Sequence, residues 1–280
     1  VSSIPHHEYD HVRIRPPGRW AGIGWRELWS YRELLYFLTK RELQVRYKQT
    51  ALGALWALVQ PLALTGIFAL IMGRLVDVPS EGVPYALLAL SGVTVWIFVS
   101  SATNQAATSL VMDANLLSKV YFPRLVIPMA KISSLLIDLT IALALLIVVA
   151  IAWGHSPGVE IVTLPLFLLL AFLCASGIGI AAATLNVRYR DVQAMLPLAT
   201  LVWLFVTPVA YPASLVGGAW ALVYALNPVA TAITGVRWAV LGTPAPTGGA
   251  ILVSCAGTIV LLALGVLAFR RSEASFADVI

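Results

Sequence analysis

The sequence predicts an all-α integral membrane protein, and three observations carry that prediction. The chain is 60% hydrophobic and only 11% charged, whereas a soluble domain has about 25% charged residues. Its mean hydropathy is +0.89. Uncharged runs at 49–73, 82–112, 139–159, 161–187, 192–236 and 238–269 divide it on the scale of single membrane crossings. A helix needs about 20 apolar residues to cross a hydrocarbon core ~30 Å thick. The net charge of +5 does not point to nucleic acid. The basic residues lie in short segments between apolar runs, as the positive-inside bias requires. Cys174 and Cys255 fall deep inside apolar runs and read as packing residues. No apolar stretch follows a basic start at the N-terminus, so no cleavable signal peptide is expected.

Taken in order, residues 1–24 read as a cytoplasmic tail whose His6, His7 and His11 are not expected to bind metal. An interfacial helix is expected over 25–50. Leu28, Tyr31, Leu35, Leu38 and Val45 recur at helical spacing as one apolar stripe, with Arg26, Glu33, Lys40 and Gln44 opposite. Glu42 interrupts the stripe, and Trp25 and Trp29 supply interfacial anchors. The helix reads as a membrane anchor or as a surface for a cytoplasmic partner. Lys40, Arg41, Arg46 and Lys48 then meet a stretch without charge from Gln49 to Gly73, which marks the membrane surface and the cytoplasmic side.

The transmembrane domain is assigned to 51–272, with crossings at about 52–73, 85–110, 129–152, 162–185, 194–211 and 248–269. Six crossings with both termini in the cytoplasm leave only Arg74 and Arg237 of the 18 Lys and Arg outside. A seventh crossing in 192–236 would carry Arg270 and Arg271 outward as well. Residues 212–247 contain Pro212, Gly217, Gly218, Asn227-Pro228, Gly235, Gly242, Pro244 and Pro246, which break helices. Broken backbone at membrane depth must be buried in protein or face a cavity, so a pair of short re-entrant helices on the outer side is predicted. The cytoplasmic C-terminus is 273–280.

The connections carry the candidate functional residues. Asn115, Lys119, Tyr121, Phe122 and Arg124 lie between the second and third crossings. Arg188, Arg190 and Asp191 lie between the fourth and fifth. Both connections mix charge with aromatics, as protein contacts do; the alternative is that the charges only hold topology. Asp138 falls inside the third crossing, where a carboxylate requires a partner or water. Hydrogen bonding or cavity lining is the favoured role, since no matching ionisable groups offer a proton relay. Tyr85, Trp96, Phe98, Trp203, Tyr211, Trp220 and Trp238 gather towards the outer half. They read as an interfacial aromatic belt or as stacking surfaces for sugar rings, and composition favours the belt. There is no GxxxxGK[ST] phosphate loop, HExxH or GxSxG. No cofactor or metal is expected in this chain, and no enzymatic activity.

The segments KRELQVRYKQTALGALWALVQP (40–61), NLLSKVYFPRLVIP (115–128), LNVRYRDVQAMLP (185–197), TPVAYP (207–212) and NPVATAITGVRWAVLG (227–242) occur in this order. Together they resemble the transmembrane subunit of type-2 ABC exporters for polysaccharides, the O-antigen and teichoic-acid permeases, over about 30–270. The resemblance implies a homodimer with two copies of a separate ATPase that binds ATP and Mg. It implies a lipid-linked polysaccharide as cargo and the bacterial inner membrane as location. It also implies ATPase coupling through the interface helix, with Arg32, Lys40 and Arg41, and through the two cytoplasmic connections. The 212–247 segment corresponds to extracellular gate helices. An exporter of a drug or lipid is the related alternative. A membrane-embedded glycan-modifying enzyme or a passive channel are the readings from other classes.

Overall fold

The structure, a computed structural model, describes residues 29–48, 50, 53–119, 122–216, 224–273 and 276. Tyr121, Trp220, the 1–24 tail and the side chain of Lys119 lie outside the described residues. Among the described residues all regular structure is helical: α1 (Arg32–Tyr47), α2 (Trp56–Phe68), α3 (Tyr85–Met112), α4 (Ala114–Lys119), α5 (Val126–Ala152), α6 (Leu164–Arg188), α7 (Asp191–Val206), α8 (Pro228–Leu241) and α9 (Gly248–Glu273). A 3₁₀ turn at Gly53–Leu55 leads into α2, which continues as a π-helix over Ala69–Leu75.

Five helical stretches are long and apolar enough to cross a membrane: Gly53–Leu75, Tyr85–Met112, Val126–Ala152, Val159–Arg188 and Gly248–Glu273. The crossing predicted at 194–211 is helical only as far as Val206. The 16 residues of α7 rise about 24 Å at ~1.5 Å each, short of a ~30 Å core. The cause is local. Thr207 precedes Pro208, and proline disfavours the helical conformation in the residue before it; Thr207 is extended, with φ −103° and ψ 138°.

Within the predicted broken stretch, α8 starts and stops on its own sequence signals. The Asn227 side chain accepts from the Val229 N–H at 3.2 Å, and Pro228 occupies the first helical position. Gly242 closes the helix in the left-handed conformation, φ 69°, which glycine adopts without a Cβ clash. A short 3₁₀ turn at Ala213–Leu215 precedes residues 217–223, which lie outside the described residues.

α3 is the centre of the bundle. In its membrane-length window 78% of residues are buried, against 39% or less in the other four. It packs on α6, α5, α8 and α2, and α6 in turn packs on α9 and α8. The α6–α9 contact brings backbone against backbone: a Cβ at Gly265 would stand 2.5 Å from the Gly177 carbonyl oxygen. With no hydrophobic force between helices in lipid, such small-residue contacts supply the packing energy.

At one end of the bundle Leu110, Val126, Ile127, Ile180, Val187 and Phe269 belong to a second apolar cluster, on which Tyr31, Leu34, Leu35 and Leu38 pack. Tyr31, Leu35 and Leu38 of the predicted stripe therefore pack on this cluster, with α5 the main partner of α1; Trp25, Arg26 and Leu28 lie outside the described residues. Val45, placed on the same stripe by its spacing, is 72% exposed. Beyond Leu38 the contact face advances in steps of four, to Glu42 and Arg46, and their partners on α5 are polar.

Gly265→Val should force α9 away from α6 and cost about 1–3 kcal/mol, the range for overpacking. Thermal unfolding in detergent should show a lower Tm; an unchanged Tm would mean that this contact does not hold the two helices.

Candidate functional site

Residues 100–109, SSATNQAATS, interrupt the apolar sequence of α3 with uncharged polar groups. Part of this row faces a groove between α2, α3 and α7. Gln60, Ser100, Ser101, Asn104, Gln105 and Thr200 line it together with Trp96, Pro197, Leu201 and Leu204, around about 430 Å³ of space. A second cavity of about 340 Å³ shares Gln60, Ser101 and Gln105 and extends to Arg46, Tyr47, Trp56 and Asp138. The two form one seam along α3, with Leu135, Asp138, Leu139 and Ala142 of α5 walling its second part. The α7 side of it has no buried residue at all.

The seam is closed at one end by a charged knot. Arg46 of α1 forms an ion pair with Asp138 of α5, and the Tyr47 hydroxyl donates to the same carboxylate. Arg46 also donates to Gln105 Oε1 at 3.0 Å and to Ser134 Oγ at 3.2 Å. One guanidinium thus ties three helices together, as its fork of donors allows. Burial, then the hydrogen bond to Asp138 and its negative charge, pushes the Tyr47 phenol up to about 12 from 10.0. Because its folded value is raised, the stability it contributes is present below pH 10.0 and is lost as the pH rises through about 12.

One turn back along α1 lies a second cluster. Lys131 bonds Glu42 at 2.7 Å and Asp113 at 3.3 Å, while Arg41 bonds Asp113 at 2.7 Å and Glu42 at 3.3 Å. Two cations and two anions close a ring joining α1, α5 and the α3–α4 connection. Glu42, which breaks the apolar stripe in the sequence, is the residue that makes this joint.

At the other end of α3, the buried Arg237 of α8 is solvated by neutral acceptors. It donates to the carbonyls of Leu88 at 3.0 Å, Val209 at 2.8 Å and Tyr211 at 3.1 Å, and to Ser91 Oγ at 3.2 Å. Val209 and Tyr211 belong to the non-helical segment after α7, where backbone acceptors need partners. Gly92 makes room, since a Cβ there would lie 2.3 Å from the Val209 oxygen. The Tyr85 hydroxyl donates to the Ala210 carbonyl, Tyr211 donates to the Phe205 carbonyl at 2.9 Å, and Tyr211 pairs with Tyr224.

The predicted site residues separate into several groups. Arg32 and Lys40 lie exposed on α1, with Arg32 5.7 Å from the Trp29 ring. Asn115, Arg188, Arg190 and Asp191 are exposed near the same end of the bundle. Phe122 is buried in the second apolar cluster, and Arg124 bonds Glu273 at the end of α9 through its backbone N–H and its side chain. Trp96 and Phe98 are buried in the core. Trp96 meets Trp203 edge-on at 5.4 Å, and Trp238 meets Phe167 at 6.2 Å. The sequence reading passed over Gln60, Ser100, Ser101, Asn104, Gln105 and Thr200; the cluster of polar residues in 100–109 was the available signal.

A polar seam through a bundle of membrane-length helices is the architecture of a membrane transport subunit. Residues 33–241 match the ABC-2 type transporter family, and the chain belongs to it as a multi-pass permease of the bacterial cytoplasmic membrane. It is 28% identical over 255 residues to the O-antigen export system permease protein RfbA of Myxococcus xanthus, covering 90% of this chain and 97% of that one. It is 24% identical over 249 residues to an O-antigen export system permease protein RfbA of Klebsiella pneumoniae, covering 89% and 95%. Over 240 residues it is 24% identical to the polysialic acid transport protein KpsM of Escherichia coli, covering 83% and 91%.

Asp138→Asn should leave the Arg46 charge without its counterion and destabilise the fold by roughly 1–3 kcal/mol, less than for a fully buried pair. Arg46→Gln in the same chain should recover part of that loss. Denaturation midpoints of the two single variants and the double variant measure the coupling; additive losses would mean that the pair contributes nothing.

Proposed function

We propose that this chain is the channel-forming permease subunit of an ATP-driven exporter that moves a lipid-linked polysaccharide, O-antigen-like or teichoic-acid-like, out across the cytoplasmic membrane. The observation that carries this reading is the uncharged polar groove between α2, α3 and α7. Its Ser100, Asn104 and Thr200 side chains donate to backbone carbonyls of their own helices and keep acceptor lone pairs to which the hydroxyls of a sugar chain can donate. The printed names of the relatives, O-antigen export permease and polysialic acid transport protein, support the same cargo class.

The seam opens on the face formed by α2 and α7, which expose Val59, Leu62, Leu198, Leu201 and Phe205. A second copy of the chain covers this face and encloses the conduit away from lipid. Two copies of a separate ATPase, carrying ATP and Mg, drive it. Arg32 and Lys40 on α1, Asn115 and Lys119 near α4, and Arg188, Arg190 and Asp191 form its docking side. The ring of Arg41, Glu42, Asp113 and Lys131 makes α1 and the α3–α4 connection move as one body. In this reading the chain crosses the membrane six times with both termini in the cytoplasm. α7 completes its crossing through 207–211, where Arg237 bonds the Val209 and Tyr211 carbonyls, and 212–247 with α8 forms the outer gate.

Inside-out vesicles holding the chain and its ATPase should take up a polyprenyl-diphosphate-linked glycan only when ATP is supplied. ATP-dependent uptake of an amphipathic drug or of phospholipid without the glycan would favour the alternative exporter. Replacing Arg32 and Lys40 together with Glu should reduce co-purification of the ATPase about tenfold or more, about 1.4 kcal/mol or more of binding. Unchanged co-purification would remove α1 from the docking surface.

A further inference from the structure

Gln60, Ser100, Ser101, Asn104, Gln105 and Thr200 give the groove its polarity, and no Asp, Glu, Lys or Arg is among the residues that line it. The adjoining cavity adds two charges, Arg46 and Asp138, and these cancel each other. Arg46 has further donors committed to Gln105 and Ser134, and Asp138 also accepts from Tyr47. Among the described residues the seam therefore offers dipoles without a free cation.

We propose that this groove accepts neutral sugar chains and rejects polyanionic ones, an inference that rests on the polysaccharide reading above and narrows it to uncharged O-antigen-like chains, against the teichoic-acid-like cargo. Hydroxyls of neutral hexoses exchange hydrogen bonds with Ser, Thr, Asn and Gln side chains, which both donate and accept. The apolar faces of the same sugars lie against Trp96, Leu201 and Leu204. A carboxylate or phosphodiester in each repeat would lose water between walls of α2, α3 and α7 that offer dipoles but no counterion. The Ser100 and Thr200 hydroxyls and the Asn104 amide already donate to backbone carbonyls, so the groove keeps too few donors to replace the counterion such a charge needs at membrane depth. A polymer presents that deficit again with every repeat that enters.

The test uses inside-out vesicles with the full chain and its ATPase. Two polyprenyl-diphosphate-linked oligosaccharides of equal length are offered: a neutral hexose chain, and the same chain with alternate sugars oxidised at C6 to uronic acids. The diphosphate carrier is common to both, so only the repeat charge differs. ATP-dependent uptake of the uronate chain should be at least about tenfold slower, about 1.4 kcal/mol in the barrier. Equal or faster uptake of the uronate chain overturns the proposal. Asn104→Lys should narrow the gap by raising uronate uptake relative to neutral; Thr200→Lys serves the same purpose if the first variant does not insert. A gap left unchanged by an inserted variant also counts against the groove as the selective element. If neither chain moves while ATP hydrolysis continues, the polysaccharide reading itself fails.

Discussion

Arg237 reaches across from α8 to three backbone carbonyls and a serine hydroxyl, and most of the architecture at that end of the bundle follows from what it satisfies. α7 stops at Val206 because Thr207 precedes a proline. Backbone beyond a helix end cannot be left bare in hydrocarbon. A guanidinium supplies several donors from one side chain, so it can serve the Val209 and Tyr211 carbonyls of the irregular segment and the Leu88 carbonyl of α3 together. Gly92 lets this segment approach, and the caps of α8 at Asn227 and Gly242 set where Arg237 stands. Apolar packing alone would leave those carbonyls without partners.

The same economy of charge operates at the other end. α1 carries no buried residue, yet it is fixed to the bundle by an apolar first half and a charged second half. Each polar contact of the second half falls four residues after the last, at Glu42 and then Arg46. The partners on α5, Lys131 and Asp138, would be costly as isolated charges near or within the membrane. Paired, they fasten a surface helix to the helix that carries them. Arg46 also reaches Gln105, so the joint touches the lining of the seam directly.

Between these ends the helices divide into packed and uncovered groups. α6 is locked to α3 by a close contact at Gly179 and to α9 by close contacts at Gly177 and Gly265. α2 and α7 are mostly exposed in the single chain. The exposed pair borders the polar seam, so the apolar surface left bare and the hydrophilic surface left bare are adjacent.

How much of this was legible in the sequence depends on the range of the interaction. Composition and the spacing of uncharged runs determined an all-helical membrane protein, because hydropathy and backbone hydrogen bonding are local demands of the lipid. Asn227-Pro228 and Gly242 likewise marked the ends of α8 by local geometry, and the ordered motifs pointed to the family. Tertiary structure alone decided which charges meet. Glu42 read as a flaw in a stripe until Lys131 stood opposite it, 89 residues away in sequence. Phe122 and Arg124 look like surface groups in a short connection, yet one is buried beside Phe269 and the other holds Glu273. Asp138, Gln105 and Arg237 each depend on partners far along the chain. A charge pair or a polar groove between helices is a property of how helices are placed side by side, and no period within one helix records its neighbour.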